Sequence, residues 1–193
     1  MRWLFIFLSL AFTGPCSHKD DIDDELPRLR EKARAQRGYL AQHGFNTEVC
    51  FLVDMRLPSG KNRFFVYDLR RDSVLTMGLV AHGCGKSNFS VRPVFSNVDG
   101  SGCTSLGRYR LGYKYQGQFG PAYKLYGLDT SNSQAFVRNV VLHSYAAVPM
   151  RETDPSPICN SRGCPMVSPV FFQELQPLIE RSGKPICLWI FFD

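Results

Sequence analysis

A thiol and an imidazole stand close together near the C-terminal end of the chain, in an order and at a spacing that suit covalent catalysis. The stretch runs from Val140 to Ser168 and reads VVLHSYAAVPMRETDPSPICNSRGCPMVS. Val140, Val141 and Leu142 form a β-prone run that delivers His143 and Ser144. A polar, proline-bearing loop follows, and the chain then tightens into Ser161-Arg162-Gly163-Cys164-Pro165. A cysteine attacks as its thiolate and is mostly protonated at neutral pH, so it needs a base within hydrogen-bond reach. Here a strand end supplies the imidazole of His143. A glycine turn supplies the thiol of Cys164 after a loop long enough to fold back.

The order of the two groups narrows the chemistry. Papain-like enzymes place the cysteine first and the histidine far downstream. Sortase-like enzymes place histidine first, but with a longer gap and a Thr-Cys strand end. The chain has four histidines, His18, His43, His82 and His143. His82 ends a strand-like run in Ala-His-Gly and reads as a loop hydrogen-bonder, with a metal or catalytic role as the alternative. The pattern His143-Ser144, then sixteen residues (Tyr145 to Asn160), then Ser161-x-Gly163-Cys164 resembles the YkuD-type L,D-transpeptidases of bacterial cell walls. The likeness is greatest to a divergent, Bacteroidetes-like branch of secreted members, and it reaches back to about Phe45. Two positions depart from the family pattern: Arg162 stands where most members carry a second histidine, and Pro165-Met166 follows the cysteine.

The resemblance implies a set of roles. His143 is the base and Cys164 the nucleophile. The backbone carbonyl of Ser144 orients the imidazole, and the N–H groups of Arg162, Gly163 and Cys164 cradle an oxyanion. Arg162 reads either as a ligand for a stem carboxylate or as a surface arginine. Tyr123 and Tyr126 are candidates for the oxyanion site, with Tyr126 carried forward. The segment Thr104 to Leu111 resembles the family's run before the cleft, with its proline replaced. The implied reaction is transpeptidation of peptidoglycan tetrapeptide stems through a thioester. The alternatives are an L,D-carboxypeptidase of the same chemistry and a secreted wall-binding protein with a vestigial site. Nothing in the chain calls for a metal or an organic cofactor, and a monomer is expected.

The elements that must position these groups follow from patterning. Residues 1–17, MRWLFIFLSLAFTGPCS, read as a secretory signal peptide: Arg2, an apolar run from Trp3 to Phe12, then small residues. Cys16 would tie the protein to a membrane only if lipidated, and Pro15 before it fits a lipidation site poorly. Residues 18–44 read as a helical arm, packed on the domain or linking to it, with Leu29, Ala33, Gln36 and Leu40 as its apolar stripe and Gly44 at its end. Its charges read as a solvated face. Residues 45–193 then form the catalytic domain, mainly β within an α+β class and built as a YkuD-like β-sandwich. Its expected parts are a hairpin around PSGKN, a third strand over Ser73–Ala81, an aromatic hairpin over YKYQGQFGPAYKLYG, and one helix after the nucleophile loop. Ser168 is that helix's N-cap, Pro169 its first residue, and Pro177 a kink or boundary. The run ICLWIFF is the last strand, apolar enough to be buried on both faces.

Charge and cysteines close the account. The net charge of +6 comes from scattered lysines and arginines. No basic run with interleaved aromatics points to nucleic acid, and a basic exported protein suits an anionic polymer such as free peptidoglycan stems. Seven cysteines include no Cys-x-x-Cys pair and no zinc spacing. Cys50 and Cys187 lie in apolar strands and read as buried thiols. Cys84 and Cys103 lie in glycine-rich segments, either paired or free. Cys159 reads as a loop thiol or a resolving partner for Cys164.

Overall fold

The computed structural model describes residues 20–193. The expected signal peptide and Cys16 lie outside the described residues. Helix α1 spans Asp20–Gln42. The strands that follow are β1 (Val49–Asp54), β2 (Phe64–Asp68), β3 (Ser73–Gly78) and β4 (Val80–Ala81). Then come β5 (Gly107–Gly117), β6 (Gly120–Gly127), β7 (Val141–Ser144), β8 (Met166–Val167), helix α2 (Pro169–Glu180) and β9 (Cys187–Phe191). A short 3-10 turn, Thr130–Asn132, lies between β6 and β7. The architecture is mainly β with one helix near each end.

The strands form one sheet in the order β3-β2-β1-β9-β5-β6-β7-β8-β4. The expected hairpins are present, β1 with β2 and β5 with β6. The expected single strand over 73–81 is instead two strands separated by Leu79. β3 pairs with β2 at one edge of the sheet, and β4 pairs with β8 at the other. One residue therefore joins the two edges, and the sheet rolls into a nearly closed barrel. Sequence texture could not show this, because both halves of the run are equally β-prone and only the partner changes.

The poor alternation of VCFLVD also has a structural reason: β1 is covered on both faces. Phe51 and Val53 point into the barrel beside Phe64, Val66, Leu188 and Ile190. Cys50 and Leu52 point outward beside Phe65, Tyr67, Cys187 and Phe191, where Leu29, Ala33 and Leu40 of α1 cover them. Cys50 and Cys187 are buried free thiols, as their surroundings suggested. Helix α2 closes the barrel interior with Phe171, Phe172 and Leu175. Its cap forms as expected, with Phe171 N–H donating to Ser168 Oγ at 3.2 Å. Pro177 is accommodated inside the helix, one turn before its end.

A buried arginine holds the point of closure. Arg63 is fully buried. Its backbone N–H donates to Gly78 O at 3.2 Å, and its Nε and Nη2 donate to Val80 O at 3.0 and 2.8 Å. Nη1 donates to Leu57 O at 3.0 Å. The carbonyls on either side of Leu79, where the strand leaves one edge and joins the other, are thereby satisfied. Nη2 also donates to His82 Nδ1 at 2.9 Å. That bond places the ring proton on Nε2, which lies 3.1 Å from Ser90 O. His82 is thus the loop hydrogen-bonder its position suggested.

Two outcomes follow for stability. Arg63→Met leaves Val80 O, Leu57 O and His82 Nδ1 without their donor. The expected loss is about 3–5 kcal/mol, read as a fall of about 10 °C in melting temperature. Burial, then the adjacent Arg63 charge, push the His82 pKa down to about 4. The unfolded chain takes up that proton near pH 6.5. Stability is therefore whole above that pH and is lost as pH falls toward about 4, with about 2–3 kcal/mol gone at pH 4.5. His143, also held low by burial, adds a loss of the same sign. Urea unfolding at pH 7 and 4.5 should show this drop in the wild type and a smaller one in His82→Gln.

Candidate active site

Strand pairing brings the imidazole to the thiol. β7 and β8 run parallel, with His143 opposite Met166 and Ser144 opposite Val167. His143 N–H reaches Pro165 O at 3.4 Å, and Tyr145 N–H donates to Val167 O at 3.0 Å. The histidine strand therefore lies directly beside the residues that follow Cys164. A parallel pair needs a long connection, and residues 145–165 supply it. That loop is fastened to the β1–β2 turn: Thr153 N–H donates to Gly60 O at 2.9 Å, and Ile158 N–H to Ser59 Oγ at 3.2 Å. It returns along the end of β4, where Ser161 N–H donates to His82 O at 2.9 Å and Cys84 N–H to Ser161 O at 3.0 Å. The final turn requires glycine. Gly163 has φ +113°, and a Cβ there would lie 2.6 Å from Cys103 O.

His143 is nearly buried, 6% exposed, at the floor of a cleft. Its Nδ1–H donates to Ser144 O at 3.0 Å, which leaves Nε2 as the unprotonated ring nitrogen. Phe119 stacks on the imidazole at 5.4 Å and 17°, and Tyr145 packs edge-on against Phe119. Two clefts meet here. One, about 290 Å³, is lined by Cys84, Tyr145, Asn160 and Arg162 among others. The other, about 170 Å³, lies toward Tyr115, Gly117 and Gln118 of the β5–β6 turn. Phe119, His143 and Cys164 line both. A larger cavity of about 420 Å³ lies apart from these groups, between Pro58, Pro93, Pro157 and Phe192.

Electrostatics set the resting state of the pair. Burial pushes the Cys164 thiol up, against the opposing pull of the Val141 N–H, Arg138 and Lys124. Burial pushes the His143 pKa down, against the Ser144 carbonyl. Both shifts favour a neutral thiol beside a neutral imidazole over a thiolate–imidazolium pair. The thiol makes a long contact of 3.8 Å to Asn139 O. Arg138 and Lys124 were not legible in the sequence, since neither has a spacing relation to Cys164. Arg138 is held by Ser96 O at 2.8 Å and Cys103 O at 2.6 Å, and Lys124 by Asn139 Oδ1 at 2.9 Å.

The other sequence candidates are distributed unevenly. Arg162 is exposed, lines the larger cleft, and makes one long contact, to Gly85 O at 3.4 Å. Gly163 N–H donates to Ser161 Oγ at 3.0 Å, so one of the three N–H groups expected to face an oxyanion is already engaged. Tyr126 lies outside both clefts, stacked on Phe136 at 5.3 Å and covered by Arg110. Tyr123 is buried and donates to Glu180 Oε1 at 2.9 Å. Tyr115 of the aromatic hairpin lines the smaller cleft. Phe119 was missed because a lone aromatic in a glycine turn carries no signal. Thr104 supports the site from behind, its Oγ1 accepting from Gly83 N–H at 2.9 Å. Among the described residues, no group of three or more His, Cys, Asp or Glu side chains gathers as a metal site. A neutral resting pair predicts that Cys164 alkylation by iodoacetamide keeps rising through pH 8. A preformed ion pair would instead give a plateau from pH 6.

The family model described as the L,D-transpeptidase catalytic domain matches residues 25–190. No curated protein matches the sequence. A cysteine-to-serine mutant of the Enterococcus faecium L,D-transpeptidase is similar with 13% identity and TM-score 0.46, over 75% of this chain and 50% of that one. The helical cell shape determining protein Pgp2 from Campylobacter jejuni gives 14% and 0.48, over 75% and 48%. The L,D-transpeptidase of Xylanimonas cellulosilytica gives 12% and 0.42, over 74% and 60%. The chain spans about half the length of most of the solved proteins it matches. The family match is the one that bears on identity, and it runs from helix α1 to β9: the chain belongs to the L,D-transpeptidase catalytic domain family.

Proposed function

We propose that the protein is a cysteine-dependent peptidoglycan L,D-transpeptidase acting on tetrapeptide stems at the cell envelope. The observation that carries this reading is the tautomer of His143. With Nδ1–H engaged by Ser144 O, Nε2 is left as a base in the two clefts that Cys164 also lines. In the proposed reaction Nε2 takes the thiol proton as Sγ attacks the carbonyl of the third stem residue. The tetrahedral oxyanion meets the N–H groups of Arg162 and Cys164, with the charges of Arg138 and Lys124 nearby. Nε2 then returns the proton to the departing amine of the terminal D-amino acid, which leaves a thioester on Cys164. The amine of a second stem attacks that thioester and loses a proton to His143 Nε2, the C–S bond breaks, and the same proton passes to the expelled thiolate to re-form the thiol. Two clefts meeting at one sulfur favour transfer over simple hydrolysis, because a donor stem and an acceptor amine can reach it from different sides.

The test compares the protein with its Cys164→Ala variant on a purified disaccharide-tetrapeptide, with products read by mass. Loss of the terminal residue together with a cross-linked dimer, in the wild type alone, is the expected outcome. Loss without a dimer would make it a carboxypeptidase. Neither product, together with no carbapenem adduct, would sink both enzymatic readings in favour of a wall-binding protein.

Arg162 is proposed as the ligand for a stem carboxylate, since it is exposed in the larger cleft with only one long hydrogen bond. Arg162→Ala should leave the melting temperature within about 2 °C, as exposed substitutions do. It should lower kcat/KM about tenfold on a free-acid stem and little on an amidated one. An equal fall on both substrates would count against the carboxylate role.

A further inference from the structure

The cavity of about 420 Å³ lies apart from the two clefts, and the proposed reaction makes no use of it. Its volume falls within the range of about 300–1,000 Å³ that is usual for ligand pockets. Leu57, Pro58, Val91, Pro93, Pro157 and Phe192 supply apolar walls. Val91 is 60% exposed and Phe192 46%, so apolar surface stands in water here. The lining also holds three arginines, Arg56, Arg63 and Arg92, and no acidic residue.

A guanidinium carries five N–H donors. Arg63 engages four of them: one from Nε and one from Nη2 on Val80 O, the other from Nη2 on His82 Nδ1, and one from Nη1 on Leu57 O. The second Nη1–H has no acceptor among the described residues, on a side chain that is fully buried and lines the cavity. Burial lowers the Arg63 pKa to about 10, and Asp54, whose charge counters this, is itself paired with Arg28. A buried cation without an anion in contact is unfavourable. Arg56 and Arg92 are exposed, and their guanidinium groups have no hydrogen bond or ion pair among the described residues. The Asp193 carboxylate, which Arg56 also attracts, is already paired with Lys32 at 2.7 Å.

We propose that this cavity is a second ligand site, for a small carboxylate that carries an apolar body. The two oxygens of a carboxylate match the fork of a guanidinium. A neutral apolar ligand would leave the Arg63 N–H unpaired, and a bare anion would leave the apolar walls in water. A seated ligand joins the β1–β2 turn to Pro155 and Pro157, which belong to the loop that leads to Cys164. Thr153 and Ile158 already fasten that loop to Gly60 and Ser59, so the ligand reinforces an existing contact. The cavity shares no lining residue with the two clefts, and a failure of either reading leaves the other standing.

The full chain is titrated with 4-phenylbutyrate, with 4-phenylbutanamide and with acetate, and the heat of binding and the melting temperature are read. The acid should bind and raise the melting temperature by about 3–5 °C at ten times its Kd. The amide, alike in shape and uncharged, should bind at least about tenfold more weakly, and acetate should cause no shift. Arg56→Gln and Arg92→Gln should each weaken the acid by about three- to tenfold and leave the ligand-free melting temperature within about 2 °C. Arg162→Ala, which removes the cation of the larger cleft, should leave the affinity unchanged. No binding of the acid, equal binding of acid and amide, or acetate as effective as the acid would overturn the proposal. Loss of acid binding in Arg162→Ala, with the two glutamine variants unaffected, would overturn it too. The comparison of acid with amide uses the wild type and decides the matter even if a variant fails to fold.

Discussion

The Arg63 guanidinium, buried where the sheet closes on itself, is the contact on which the rest of the molecule depends. A barrel closed through a single residue, Leu79, must satisfy backbone carbonyls that face two different partners within three residues. Water cannot reach them, and no single strand can serve both. Arg63 supplies several donors in a rigid fork and meets Gly78, Val80 and Leu57 from one side chain and its own backbone. The same guanidinium fixes the tautomer of His82. The backbone of His82 in turn receives Ser161, three residues before Cys164. The line from barrel closure to Cys164 is thus a short series of hydrogen bonds through Arg63, His82 and Ser161.

Burial does opposite things to the Cys164 thiol and the His143 imidazole, and the result is coherent. It raises the thiol and lowers the imidazole, so both rest uncharged. A neutral pair in an apolar site avoids the cost of desolvating two ions. The cations Arg138 and Lys124 offset part of the burial without touching the sulfur, and both are tethered to carbonyls or amides of the 96–103 and 136–139 segments.

Helix α1 belongs to the packed body of the protein. Its stripe of Leu29, Ala33, Gln36 and Leu40 is fully covered, and Gln36 donates to the buried Cys50 sulfur at 3.1 Å. Its basic face, which by pattern alone reads as solvated, is only partly so. Arg30, Arg34 and Arg37 converge on Asp72, and Arg28 bridges Glu25 and the buried Asp54. The exposed pairs among these contribute little each. The apolar stripe is what docks the helix, and the ion pairs set its rotation about its axis. The family match beginning at residue 25 accords with a helix that is part of the domain.

Much of this was present in the sequence, and the boundary has a physical cause. Local pattern determined the helices, the two hairpins, the Ser168 cap and the buried last strand, because propensity, capping and turn chemistry act over a few residues. It also singled out His143 and Cys164, which the structure places on the same two clefts. His143-Ser144 and Ser161-Arg162-Gly163-Cys164 are contiguous motifs whose residue types state their own chemistry. The tertiary structure alone decided that the run 73–81 splits between opposite edges of the sheet, since both halves are equally β-prone and only closure distinguishes them. It alone brought Phe119 to the clefts and the charges of Arg138 and Lys124 within reach of the Cys164 thiol, and left Tyr126 outside both clefts beneath Arg110. Those residues act through space across separate strands and turns, and distance along a chain carries no record of which strands lie side by side.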